Sequence, residues 1–212
     1  QIAEEKISAA YELARHVAES DRVAPLRVRA YEAMATLSPR TAETLVLAIG
    51  NSSNAILRAH LLEILSRQKD SQTALKALAT GRDGIAALAR FELARPAGGV
   101  EAARAAVAAL LPRNEKDEPQ AADYYVVRYV LLRADQDIKA RGEQADFYTP
   151  ALAGYIRAIS ADTEDLRQEH LLAARATTLL ADLGTLEAIK ELKELLKGRY
   201  DARLRVVAAG LR

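Results

Sequence analysis

Cysteine is absent from this 212-residue chain, as is tryptophan, and aromatic residues amount to only 5 % of it. Without cysteine there is no disulfide, no thiolate metal site and no thiol nucleophile, whatever the compartment. With so few rings, the core must be built from Leu, Ala, Val and Ile, side chains that let helices approach closely. No charge predominates: 30 Lys and Arg stand against 29 Asp and Glu, a net charge of +1. A global field that would announce nucleic acid or an anionic membrane is therefore missing. The longest apolar runs fall short of the roughly 18 residues a membrane helix needs. No stretch alternates polar and apolar residues for long enough to make a convincing strand, so the expected class is all-α.

What the chain does have is a pattern written more than once. Leu26-Arg27 opens a helix with Ala30, Ala33, Met34 and Leu37 on one face, and Leu57-Arg58 opens another with Leu61, Ile64 and Leu65. Between them Thr41 to Ile49 carries Ala42, Leu45, Val46 and Ile49. The pair returns as Val127-Arg128 with Leu131 and Ala134, as Leu166-Arg167 with His170 and Ala173, and as Leu204-Arg205 with Ala208 and Leu211. A degenerate copy without the matching Arg lies at Gly84 to Leu93, with Ile85, Leu88, Ala89 and Phe91. Recurrence at a helix-turn-helix period predicts stacked helical hairpins.

Turn chemistry divides these helices. Ser20-Asp21 and Pro25 mark the start of the second helix, and Ser38-Pro39 its end. Gly50 to Asn54 reads as a loop, Ser71 as a cap, and Gly81 as a stop. Pro96-Ala97-Gly98-Gly99 precedes a helix from Val100 to Leu111. The polar stretch 112–120 follows and is the expected subdivision point, with 1–111 before it and 121–212 after it, inside a single array over 1–212. Helices are then expected over Ala121–Arg141, Phe147–Ile159 and Asp162–Asp182. Gly184 ends the last of these. Thr185 caps Leu186–Lys197, whose Leu186, Ile189, Leu192 and Leu196 form a stripe. Gln1 in place of Met reads as a processed or trimmed chain, and the expectation leans to an exported bacterial protein over a cytoplasmic one.

In the turn and helix Asp201-Ala-Arg-Leu204-Arg205-Val-Val-Ala208-Ala209, and in the other apolar-Arg pairs followed by small residues, the chain resembles HEAT repeats of the armadillo-type α-solenoid family. The resemblance spans nearly the whole chain and is weakest over 83–165. Asp is missing from the turn before Leu57, and the period drifts from 31 residues (Leu26 to Leu57) to 38 (Leu166 to Leu204). Tetratricopeptide-like or unclassified hairpins therefore stay open. The resemblance implies a right-handed α-α superhelix of about six hairpins and a non-enzymatic scaffold for a protein or peptide partner.

Arg27, Arg58, Arg128, Arg167 and Arg205 could form a ladder for an acidic partner, but such residues more often tie hairpins together with their stems over apolar surface. Tyr124, Tyr125, Tyr129, Phe147, Tyr148 and Tyr155 hold six of the ten aromatics. Tyr124, Tyr125, Tyr129, Tyr148 and Tyr155 are the candidate recognition surface, since tyrosine couples a large apolar body to a polar tip. The competing reading is that they fill a wider gap between hairpins.

His16, His60 and His170 lie far apart without an HExxH, so no metal or cofactor is expected. Asp135-Gln-Asp137 lacks the glycine and final glutamate of a calcium loop. Gly81-Arg-Asp-Gly84 is too short to cradle phosphate, and Ser52 and Ser53 lack a nucleophile-elbow context. HEAT-like metal hydroxylases rely on repeated His-Glu pairs, which this chain lacks. HEAT-like DNA glycosylases share the architecture, but the missing tryptophan and the near-neutral charge weigh against that activity. Nucleic-acid binding along an arginine face, and service as a structural segment of a larger protein, are the alternatives to the scaffold.

Overall fold

The computed structural model describes residues 2–38, 41–97, 99–111, 124–161 and 167–197. Among these residues the secondary structure is helical throughout, with no strand. The elements are α1 (Ile2–Ser20), α2 (Ala24–Leu37), α3 (Thr41–Asn51), α4 (Ala55–Ser66), α5 (Ser71–Ala79), α6 (Gly84–Ala97) and α7 (Gly99–Ala108). They continue with α8 (Tyr124–Arg141), a 3₁₀ segment (Gly142–Tyr148), α9 (Thr149–Ala161), α10 (Arg167–Leu183) and α11 (Leu186–Lys197). Leu166, Leu204 to Leu211 and the polar stretch 112–120 lie outside the described residues, as do the side chains of Arg167 and His170.

Boundaries follow local chemistry. Pro25 sits in the first turn of α2, where its missing N–H costs nothing. Ser38 before Pro39 is extended (φ −144°, ψ 128°) and stops that helix. Asn54 caps α4 through its side chain, and Thr185 Oγ1 accepts the Ala188 amide at 3.2 Å to cap α11. Gly184 ends α10 at φ +63°, a conformation that costs other residues a steric clash.

Several expectations need correction. Gly50 and Asn51 are helical, so the loop before α4 is only Ser52 to Asn54. Ser71 is the first helical residue of α5 rather than its cap, and its side chain is buried. α6 runs through Pro96 to Ala97. Phe147 and Tyr148 belong to the 3₁₀ segment, not to α9.

Helices pack on chain neighbours (α1 on α2, α3 on α4, α9 on α10) and on the next but one (α2 on α4, α3 on α5, α8 on α10, α9 on α11). The chain forms two compact units, 1–93 and 94–212, divided within α6. In the first unit α4 is the central helix. Leu57, Leu61, Leu62 and Leu65 are almost wholly buried, with Met34, Leu45, Ile49 and Leu75 buried on the helices α2, α3 and α5 that pack on it. A helix apolar on nearly every side is one that others enclose. In the second unit α9 has that role, with Leu152, Ala153, Tyr155 and Ile156 buried and with Leu179 and Leu180 buried on α10, which packs on it. Each such aliphatic side chain contributes about 1.5–3 kcal/mol by leaving water.

Candidate functional site

The arginine of the repeated pair has a specific task in the first unit. Arg27 Nε donates to the Ala18 carbonyl at 2.8 Å, and Arg58 Nε donates to the Ile49 carbonyl at 2.9 Å. Both carbonyls lie in the last turn of the preceding helix, where no intrahelical donor remains and the helix dipole favours a cation. Each arginine thus closes its own hairpin.

A third staple escaped the dipeptide pattern. Arg90, in the middle of α6, donates through Nη1 to the carbonyls of Ala79 at 2.7 Å and Gly81 at 3.2 Å. The signal for it was spacing, since Arg27, Arg58 and Arg90 each reach a carbonyl nine residues back. Arg128 is exposed on α8 and makes no hydrogen bond or ion pair among the described residues.

Arg58 goes further and links two hairpins. Its Nη2 donates to Asp83 Oδ2 at 2.7 Å, while Asp83 Oδ1 accepts the Ala86 amide at 2.9 Å and caps α6. Burial pushes the Asp83 carboxyl up, but the Ala86 amide and the Arg58 guanidinium outweigh burial and hold it below the usual carboxylate range.

α3 presents open space on two sides. Leu45 and Ile49 face the core, and Thr41 fixes the helix start, its hydroxyl 3.0 Å from the Met34 carbonyl and 2.8 Å from that of Ser38. That arrangement leaves Leu47 turned out and 65 % exposed. On one side is an apolar cavity of about 630 Å³ between α3 and α5, lined by Ala42, Val46, Ala74 and Ala77 and also by Glu43 and Asp70. On the other is a polar cavity of about 550 Å³ that holds Arg15, Arg27, Tyr31 and Thr44, with the turn from Asn51 to Asn54. Leu47 lines both. Both volumes lie within the roughly 300–1,000 Å³ typical of clefts that hold ligands.

The tyrosines are placed otherwise than a displayed surface requires. Tyr129, Tyr148 and Tyr155 are buried, which removes them as surface anchors, and Phe147 is buried with them. Tyr124 and Tyr125 are half-buried at the start of α8. The Phe147 and Tyr148 rings stack at 4.3 Å with a 32° tilt. The Tyr148 hydroxyl donates to Asp137 Oδ2 at 2.9 Å, and Arg95 Nη1 donates to Asp137 Oδ1 at 2.5 Å. Arg141 Nε lies 3.8 Å from the same oxygen. These side chains fill and orient the core of the second unit around one buried ion pair.

Asp135 is likewise committed, accepting from Lys139 at 2.8 Å and Arg175 at 2.5 Å. It shares α8 with Asp137, so the pair forms no loop. Among the described residues no three His, Asp or Glu side chains gather closely enough to hold a metal ion. None of their helices is long and apolar enough to cross a membrane. No family model, no curated protein and no solved structure matches the chain.

Proposed function

We propose that this chain is a non-enzymatic helical-repeat scaffold of the HEAT-like α-solenoid kind, and that it binds a protein or peptide segment at the α3 face of its first unit. The observation that carries the proposal is Leu47, 65 % exposed between an apolar and a polar cavity. A large aliphatic side chain standing out of a helix with open space on both sides is the kind of anchor that dominates binding energy once a partner excludes water from it. The apolar cavity suits a small aliphatic side chain of the partner. Glu43 and Asp70, which also line it, favour a basic residue beside it. Packing of each helix on its neighbour and on the next but one is what stacked hairpins require, and it supports the repeat reading. Standard interfaces cover about 800 Å² per partner, more than the two cavities alone, so flanking parts of α3 and α5 would share the contact.

The test is selection of a random peptide library on the full chain, repeated with Leu47→Asp. An exposed substitution of this kind shifts stability by no more than about 0.5 kcal/mol, so the helical circular dichroism and the melting temperature should hold. Enriched peptides that bind the native chain and lose at least tenfold in affinity for the variant support the proposal. Absence of enrichment, or equal binding by both chains, counts against it.

A further inference from the structure

The hairpins α1–α2 and α3–α4 are both closed by an arginine on a carbonyl, but one of the two guanidiniums has no counter-charge among the described residues. At the second hairpin Arg58 is held twice, by the Ile49 carbonyl through Nε and by Asp83 Oδ2 through Nη2. Asp83 serves both sides, because its Oδ1 accepts the Ala86 amide three residues on. At the first hairpin Arg27 repeats the bond to the carbonyl, with Nε 2.8 Å from Ala18 O. The residue in the role of Asp83 is there Asn54, whose Oδ1 accepts the Leu57 amide three residues on at 3.0 Å. The other end of an asparagine amide is a nitrogen, a donor where Asp83 offers an acceptor.

Among the described residues Arg27 makes no ion pair, and its terminal nitrogens make no hydrogen bond. Both Arg27 and Asn54 line the polar cavity of about 550 Å³. Tyr31 lines it too, only 3 % exposed and with its hydroxyl unbonded among the described residues. The one carboxylate among the described lining residues is Glu19, which is exposed and already accepts from Arg15 Nε at 2.9 Å. The cavity is therefore rich in donors and short of an anion.

We infer that this cavity takes a carboxylate from outside the chain, bound by Arg27 with Asn54 and Tyr31 as further donors, in the place that Asp83 occupies at the next hairpin. The scaffold reading enters only in assigning that carboxylate to an acidic residue of a bound peptide. A planar guanidinium matches a carboxylate with two parallel hydrogen bonds. The Nε bond to Ala18 already fixes its plane, so little side-chain freedom is lost on binding.

The decisive variant is Asn54→Asp. Asp and Asn cap helices about equally well, so α4 keeps its start while the missing carboxylate is supplied within the chain. The full chain is titrated by ¹H–¹⁵N NMR with succinate, with an amidated glycine pentapeptide bearing one central aspartate, with its asparagine counterpart, and with inorganic phosphate. We expect succinate and the aspartate peptide to shift the Asn54 side-chain amide and the Arg27 Nε signals, and the asparagine peptide to leave them in place. Asn54→Asp should weaken both responses at least tenfold while its melting temperature stays equal or rises. Response to succinate alone supports the site and assigns its ligand to a free acid. No response to either carboxylate, a response to phosphate only, or undiminished binding by Asn54→Asp overturns the inference. Each of those results leaves the peptide selection at Leu47 to judge the scaffold reading by itself.

Discussion

Asp83 shows how a single side chain can join two hairpins and give the joint a pH dependence. Its carboxyl is held below the ordinary value of 3.8, since the Ala86 amide and Arg58 outweigh the opposing effect of burial. A lowered folded-state value stabilises fully at pH above the unfolded value, and that stabilisation is lost as pH falls through the folded one. The urea midpoint should therefore decline below about pH 4, and Asp83→Asn should flatten that decline. The carboxylate is 48 % exposed and screened by water, so the effect should be a few tenths of a kcal/mol, at most about 1.

Asp137 is the opposite case, being buried with two close donors. Tyr148→Phe removes one of them and should cost about 1–3 kcal/mol. Asp137→Ala removes the carboxylate that faces the buried Arg95 and should cost about 3–5 kcal/mol. Chemical denaturation followed by circular dichroism measures both, and equal values for the two variants would contradict the ion-pair account.

At the scale of elements, the helices are specified mainly by their ends. Gly184 is an instructive stop, because a Cβ built there meets nothing within 4 Å. Any penalty for Gly184→Ala is then purely conformational, about 1–2 kcal/mol for a left-handed residue, and Gly184→Asn should recover part of it. Denaturant midpoints of the two variants would show this order, and a neutral alanine would refute the argument. α11 gives a second lesson. The stripe of Leu186, Ile189, Leu192 and Leu196 suggests its buried face, yet the structure buries Ala188 and Leu195 and leaves Leu186 86 % exposed. Periodicity shows that a helix has an apolar side, but its neighbours determine which part of that side is covered. α9 and α10 both pack on α11, and Ala188 and Leu195 are the side chains of α11 that end up buried.

Among the described residues, burial is densest along α4 in the first unit and along α9 in the second, with α8 and α10 contributing long buried faces beside them. α4 and α9 are covered on almost every side, while α1 exposes Ile7 and Leu13 and α11 exposes Leu186. Backbone amides open with free energies that follow local burial. Hydrogen exchange by mass spectrometry should accordingly find α4 and α9 slowest, with α1 and α11 the first to exchange. Comparable rates along the chain would mean that each unit opens only as a whole. The candidate site lies on α3, which packs on α4, the best-buried helix of the first unit.

The all-helical class, most helix ends and the tie that Arg58 makes to the next hairpin were legible in the sequence, whereas among the described residues Arg27 bonds only within its own hairpin. Each depends on residues near one another in the chain: caps, the residue before a proline, a 3.6-residue stripe, and an arginine one turn into its helix. The tyrosines were legible only as a cluster. Whether Tyr129, Tyr148 and Tyr155 are displayed or enclosed depends on which helices cover them, and that is a matter of packing between distant segments. The same holds for the division within α6, for Arg90, whose bond depends on how α6 lies against the end of α5, and for Leu47, which is exposed because Leu45 and Ile49 take the core side of α3. Local chemistry along the chain wrote the helices and the carbonyl bonds of Arg27 and Arg58. Only the tertiary structure decided which side chains remain in water, because exposure is set by neighbours that the chain brings together from a distance.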